Sequence, residues 1–256
     1  MQGQSERLSE NAVVENALEY RLLTDRFVPL SNPVGEDICY DGTAGMPYVK
    51  GRIHLRDWLA AHALGGACDG HTNLVPAFCR AYLEVCGGTV IAVHAAKGST
   101  EIKDWLPDTD GYRILLQKSQ AALQRLKADG CEIGRIYFVW LQGESDAIAG
   151  RSCADYKEKL TALADALCAE LGVERFGIIR VGRFTRDARD EEIIRAQDEI
   201  CREDDRFLML TELATALNER PDCMNPFVGG HYSAKGLELL GTAAGEALGK
   251  HTISQK

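Results

Sequence analysis

Short runs of β-branched and aromatic residues alternate along the chain with longer stretches in which apolar residues recur at helical spacing. That is the pattern of a parallel sheet covered by helices. Four strands are predicted, at Thr89–Ala95, Arg135–Leu141, Phe176–Gly182 and Arg206–Thr211. Each is largely apolar rather than alternating, as strands buried on both faces should be. Helices are predicted at about residues 73–86, 111–129, 153–171 and 188–203. A last helix follows Ser233, which is placed as its N-cap and leads into one face of Leu237, Leu240, Ala244 and Leu248. Residues 22–73 hold most of the turn formers (Pro29, Pro33, Gly35, Asp41-Gly42, Pro47, Gly65-Gly66) and read as long loops. In α/β sheets such loops gather beyond the carboxyl ends of the strands, where ligands bind. No repeat, low-complexity tract or linker interrupts the pattern, so one doubly wound domain spanning residues 1–256 is expected.

Composition narrows the function classes. Against 29 Lys and Arg stand 38 Asp and Glu, a formal charge of −9. Nucleic acid and anionic membranes would repel such a chain unless it carried a separate basic face, and no such face is visible, so neither is expected as a partner. No apolar run approaches the roughly 18 residues that span a bilayer, and Met1–Arg7 cannot form the apolar core of a signal peptide. As written, the chain is expected to be cytoplasmic. At this length a domain buries about three quarters of its unfolded surface without disulfides or a structural metal. The nine cysteines include no C-x-x-C pair, so no metal is expected; Cys79, Cys153 and Cys168 fall among helix-like residues as small buried hydrophobes.

Three segments carry candidate chemistry. Trp140-Leu-Gln142-Gly143-Glu144-Ser-Asp146 follows the second predicted strand and puts an amide, a glycine and a carboxylate at one sheet edge, where packing does not require them. Lys97-Gly98-Ser99-Thr100 follows the first predicted strand, where a glycine and hydroxyl residues can present backbone N–H groups to a developing oxyanion or simply form a turn. Gly229-Gly-His231 sets a histidine on a loop before the last helix, accessible enough to act as a base. His94, in the first predicted strand, could also line a site.

Together the three segments resemble the carbohydrate acetylesterases of the SGNH-hydrolase superfamily, the group that includes sialate O-acetylesterases and acetylxylan esterases. Gly98–Trp105 is similar to that family's G-G-T-S-I-x-x-W block, Gln142–Ser145 to its Q-G-E-[SN] block, and His231–Gly236 to its H-[FY]-S-x-x-G block. The likeness runs from about residue 16 to 248. It implies a three-layer α/β/α fold with a parallel, flavodoxin-like sheet. It also implies a serine nucleophile acting on an acetyl ester, His231 as general base and acid, Gly98 and Ser99 in the oxyanion or substrate region with Gly143, and Gln142 as an amide donor. No cofactor is implied, and the partner is an acetylated carbohydrate.

Two departures shape the expectations. Where the family has an aspartate three residues before the histidine, this chain has Val228, so Glu144, Asp146 or Asp222 must orient His231, or the histidine forms half of a dyad; Glu144 is favoured for its place at the site edge. The family's nucleophile lies in a G-Q-S-N turn directly after the first strand. Here Gly3-Gln4-Ser5 can be that turn, with Ser5 the nucleophile. Alternatively, Met1-Gln2-Gly3 is the tail of the motif and the serine precedes residue 1. Two residues cannot make a strand, so the sheet is expected to lack its first strand in this chain, and a start codon placed too late could hide a signal peptide. The leading expectation is a serine O-acetylesterase of sialate or xylan type. The competing one is a catalytically silent carbohydrate-binding protein, and a lipase-like SGNH enzyme is disfavoured by the absence of a long apolar segment.

Overall fold

The computed structural model describes residues 12–32, 34–35, 72–226 and 229–255. The elements run β1 Ala17–Arg21, β2 Arg26–Pro29, α1 Val75–Cys86, β3 Val90–Ala92, α2 Asp110–Ala128, β4 Tyr137–Trp140, α3 Glu144–Ile148, α4 Cys153–Leu171, β5 Arg175–Ile179, α5 Ala188–Glu203, β6 Phe207–Thr211, α6 Leu213–Leu217 and α7 Ala234–Ser254. Short 3-10 turns occupy Ile102–Trp105 and Pro221–Cys223. The chain falls into two compact units, residues 1–96 with 217–256, and residues 97–216.

In the unit formed by residues 97–216, β4, β5 and β6 make a parallel sheet in that order. Its flanking helices give the α/β architecture expected of a three-layer SGNH-like fold. One face carries a row of aromatic rings across the strands: Phe138 is paired in register with Phe176, and Phe176 with Phe207, with centroids 5.2 and 5.3 Å apart. Helix α4 buries Tyr156, Leu160, Leu163, Ala164 and Leu167, the i, i+4, i+7, i+8, i+11 face that its sequence predicts. Ser152 caps its start by accepting the Asp155 N–H, and Gly172 ends it in the left-handed conformation.

In the other unit, the sheet order is β2-β1-β3, with β1 parallel to β3 and antiparallel to β2. This corrects two expectations. The sheets are not wholly parallel, and the loop reading of residues 22–73 gives way at Arg26–Pro29, which pairs back on β1 as a hairpin. The turn has no glycine or proline to announce it. Asp25 takes φ 48° and accepts a 2.8 Å hydrogen bond from the Tyr20 hydroxyl, which closes the turn instead. Residues 36–71 lie outside the described residues, as do residues 3–5, where one of the two expectations places the nucleophile. Among the described residues, no helix is long and apolar enough to cross a membrane.

Helix α7 buries the predicted face of Leu237, Leu240, Ala244 and Leu248, and Ser233 caps it by accepting the Gly236 N–H at 3.2 Å. The same helix packs on α1 through Gly241, Gly245 and Gly249. A Cβ on Gly241 would lie 2.5 Å from the Leu74 carbonyl oxygen, and one on Gly245 would press into the Phe78 carbonyl. Backbone cannot yield as a side-chain tip can. Gly245→Ala is therefore expected to cost about 2 kcal/mol in a urea unfolding series despite alanine's higher helix propensity; a neutral or stabilising result would show that the two helices separate freely.

Candidate active site

The glycine block follows β3 and opens with a turn that leaves Gly98 and Ser99 exposed. Ser99 takes φ 60°, a left-handed conformation uncommon outside glycine. Thr100 locks the turn: its hydroxyl donates to the Lys97 carbonyl at 2.8 Å and accepts the Trp105 indole N–H at 3.0 Å. The next residues form a capping box, in which the Glu101 N–H donates to the Asp104 carboxylate at 2.9 Å. No backbone acceptor among the described residues takes the Gly98 or Ser99 N–H, so both are free to meet a ligand. A Cβ on Gly98 would touch nothing within 4 Å. The fold therefore does not require this glycine. Gly98→Ala is expected to keep its unfolding midpoint within about 0.5 kcal/mol while lowering turnover of an ester; wild-type turnover would reduce the block to a turn.

The second block begins where β4 ends. Gln142 bridges the two blocks, because its amide nitrogen donates to the Thr100 carbonyl at 2.9 Å and to the Asp146 carboxylate. Its amide oxygen accepts the Tyr156 hydroxyl at 3.1 Å, and its main-chain oxygen accepts the Gln197 amide at 2.8 Å. Both amide hydrogens are thus engaged, and an oxyanion would compete with Asp146 for one of them. Gly143 takes φ 149°, and a Cβ there would lie 2.6 Å from the Ile193 side chain, so this glycine answers to backbone conformation and packing together. Glu144 opens α3.

Asp146 is the centre of the arrangement. It is fully buried, and every group it meets is a donor: the Ile102 N–H at 2.9 Å, the Gln142 amide and the Arg151 guanidinium. Burial raises its pKa, while the bonds from Gln142, Ile102 and Arg151 work the other way. With donors on both oxygens, the site is built for the carboxylate form. Arg151 also reaches Glu101 at 2.6 Å and Asp155. Burial alone would weaken its hold on the proton, but the bonds to Asp155, Asp146 and Glu101 prevail and raise its pKa. Glu101 is held below the usual carboxylate range by Lys103 first and Arg151 second.

A match to the family described as carbohydrate esterase, sialic acid-specific acetylesterase, covers residues 70–248 and so takes in all of the glycine, Gln142 and His231 blocks. The chain belongs to this family. Its fold is also similar to that of an Arabidopsis thaliana protein solved by X-ray crystallography, with a TM-score of 0.62 and 17% identity over 92% of this chain and 81% of that one. No curated protein matches the chain in sequence.

In this family member the histidine block lies in the first unit, while Gly98, Ser99, Gln142, Gly143 and Glu144 lie in the second. His231 sits in a turn closed by a bridge between Met224 and Tyr232 and by the Asn225 N–H donating to its carbonyl at 2.8 Å. Its Nδ1 is 3.2 Å from the Gly229 carbonyl oxygen. Of the acids weighed as its partner, Asp146 is committed to the network around Gln142. Asp222 is bound by Lys235 at 2.6 Å and Arg220 at 3.2 Å, which hold its carboxyl well below the usual range. His94 lies just past β3, beside Gly35. Ser5 lies outside the described residues.

The residues that sequence reasoning missed are Arg151, Tyr156 and Gln197. Tyr156 accepts the Trp140 indole N–H at 3.1 Å and is placed by helix α4, and Gln197 from α5 accepts the Val181 N–H at 2.8 Å. All three come from elements that follow the motif in the chain. The one signal available was an arginine five residues beyond Asp146, too ordinary a spacing to single out.

Proposed function

We propose that this carbohydrate esterase is a serine O-acetylesterase acting on a sialate- or xylan-type sugar through an acyl-enzyme, with residues 1–256 working as a single esterase domain. The observation that carries the reading is the Gln142 bridge, which fixes an amide donor against the turn where two backbone N–H groups are left exposed. An oxyanion site needs that kind of preorganised donor set, and a merely folded loop does not.

The serine, Ser5 or one preceding residue 1, attacks the acetyl carbonyl while His231 takes its proton. The Gly98 and Ser99 N–H groups receive the oxygen as it becomes negative, joined by the Gln142 amide as one of its hydrogens leaves Asp146. His231 then protonates the departing sugar hydroxyl, and a water molecule repeats the sequence to release acetate and free the serine.

Acetate release from O-acetylated sialic acid and acetylated xylan tests the reading, combined with a fluorophosphonate that labels an activated serine. Release of acetate with a single labelled serine is expected, and mass spectrometry of the adduct says whether that serine is Ser5. Sugar binding with neither acetate release nor labelling, in this chain and in one extended upstream, would make the protein a carbohydrate-binding module instead.

A further inference from the structure

The two oxygens of Gln142, main-chain and amide, meet two completely buried side chains, Tyr156 on α4 and Gln197 on α5. The bonds among these groups run in one direction. The Val181 N–H can only donate, and the Gln197 amide oxygen accepts it at 2.8 Å. The Gln197 amide nitrogen therefore faces the other way, and its two hydrogens go to the Gln142 main-chain oxygen at 2.8 Å and to the Tyr156 hydroxyl oxygen at 3.1 Å. That hydroxyl oxygen also accepts the Trp140 indole N–H at 3.1 Å. With both lone pairs taken, its single hydrogen has to point at Gln142, whose main-chain and amide oxygens lie 2.9 and 3.1 Å away. Burial raises the Tyr156 pKa, so the hydroxyl keeps this hydrogen.

The sequence of donors decides which way the Gln142 amide faces. Its oxygen is turned to Tyr156, which leaves its hydrogens for the Thr100 carbonyl and the Asp146 carboxylate. A reversed amide would set its hydrogens against a hydroxyl oxygen with no lone pair to give, and its oxygen against two acceptors. Thr100 and Asp146 enforce the same direction until one hydrogen turns to a substrate oxygen and leaves Asp146. From that point the grip on the amide oxygen carries more of the alignment. A donor on an amide oxygen also polarises the amide and strengthens its N–H groups as donors.

We infer that Tyr156 and Gln197 are positioning residues for the oxyanion donor. A one-way relay from the Val181 N–H through Gln197 and Tyr156 fixes the direction of the Gln142 amide and holds it while one of its hydrogens turns to the substrate oxygen. This rests on the reading of Gln142 as an oxyanion donor. Both residues are fully buried, so they act through Gln142 and not on the substrate itself.

The direction of the amide can be read by NMR. The Ile102 N–H and the Gln142 amide nitrogen converge on the same Asp146 oxygen, Oδ2. A nuclear Overhauser effect between the Ile102 amide proton and the Gln142 side-chain amide protons is therefore expected in the wild type, and it is expected to weaken in folded Tyr156→Phe. With 4-nitrophenyl acetate, Tyr156→Phe is expected to lose about ten- to a hundredfold in kcat, less than the loss of an oxyanion donor outright, with KM within about twofold. Gln197→Met breaks the same relay one link earlier. It and the double variant are expected to lose about as much kcat as Tyr156→Phe alone. Absence of the effect in the wild type would overturn the inference, and so would a wild-type kcat in folded Tyr156→Phe. Losses that multiply in the double variant would overturn it too, since they would give the two residues separate roles. The Overhauser effect is measured without substrate. Failure to hydrolyse any acetyl ester would therefore sink the esterase reading and leave the direction of the amide established.

Discussion

His231→Ala is expected to lower kcat for acetyl-ester hydrolysis by about 10²–10⁴-fold, the range typical of losing a general acid–base, with the fold unchanged. The backbone bonds that build the turn, Asn225 N–H to the His231 carbonyl and Ser233 N–H to the Cys223 carbonyl, survive truncation to alanine. The ring itself is only partly buried and contributes little packing. The unfolding midpoint is therefore expected to shift by no more than about 0.5 kcal/mol. Steady-state kinetics beside a urea series separates the two outcomes. An alanine variant that turns over like the wild type would remove His231 from the reaction, and one that unfolds early would make it a structural residue. Added imidazole is expected to restore part of the lost rate, since the alanine leaves room where the ring stood.

The three motif blocks were legible because each follows a strand or precedes a helix whose periodicity is strong. Cys153–Leu171 and Ala188–Glu203 coincide with the observed helices because both combine a clear apolar face with a polar N-cap. The hairpin Ala17–Pro29 was not legible. Its second strand is four residues long and half exposed, and its turn is closed by a Tyr20 to Asp25 hydrogen bond rather than by a glycine or proline. In the site, Gln142 was recognised as an amide donor, but its bridging role depends on Thr100, 42 residues earlier, and on Tyr156 and Gln197, 14 and 55 residues later. Contacts between elements so far apart leave no periodic trace in the sequence. Asp146 read as a spare acid for the histidine, and only its burial shows that it serves Gln142 instead.

That role for Asp146 gives the second large expectation: Arg151→Met should destabilise the protein by about 3 kcal/mol. Methionine keeps much of the aliphatic bulk but removes the one cation that, among the described residues, meets the fully buried Asp146 carboxylate. Breaking a buried pair from one side strands the remaining charge, which is costlier than exchanging both partners for apolar groups. Asp146→Leu combined with Arg151→Met should therefore recover part of the stability that Arg151→Met loses. It should not recover activity, because Gln142 would lose one of the two acceptors that aim its amide. Turnover in Arg151→Met is expected to fall more than substrate affinity, since an oxyanion donor acts mainly in the transition state. Chemical unfolding of the two single variants and the double, beside their kcat and KM, forms a complete cycle. If Arg151→Met unfolds within 1 kcal/mol of the wild type, about the ceiling for an exposed ion pair, the carboxylate does not depend on its arginine. The donors from Ile102 and Gln142 would then suffice to hold it.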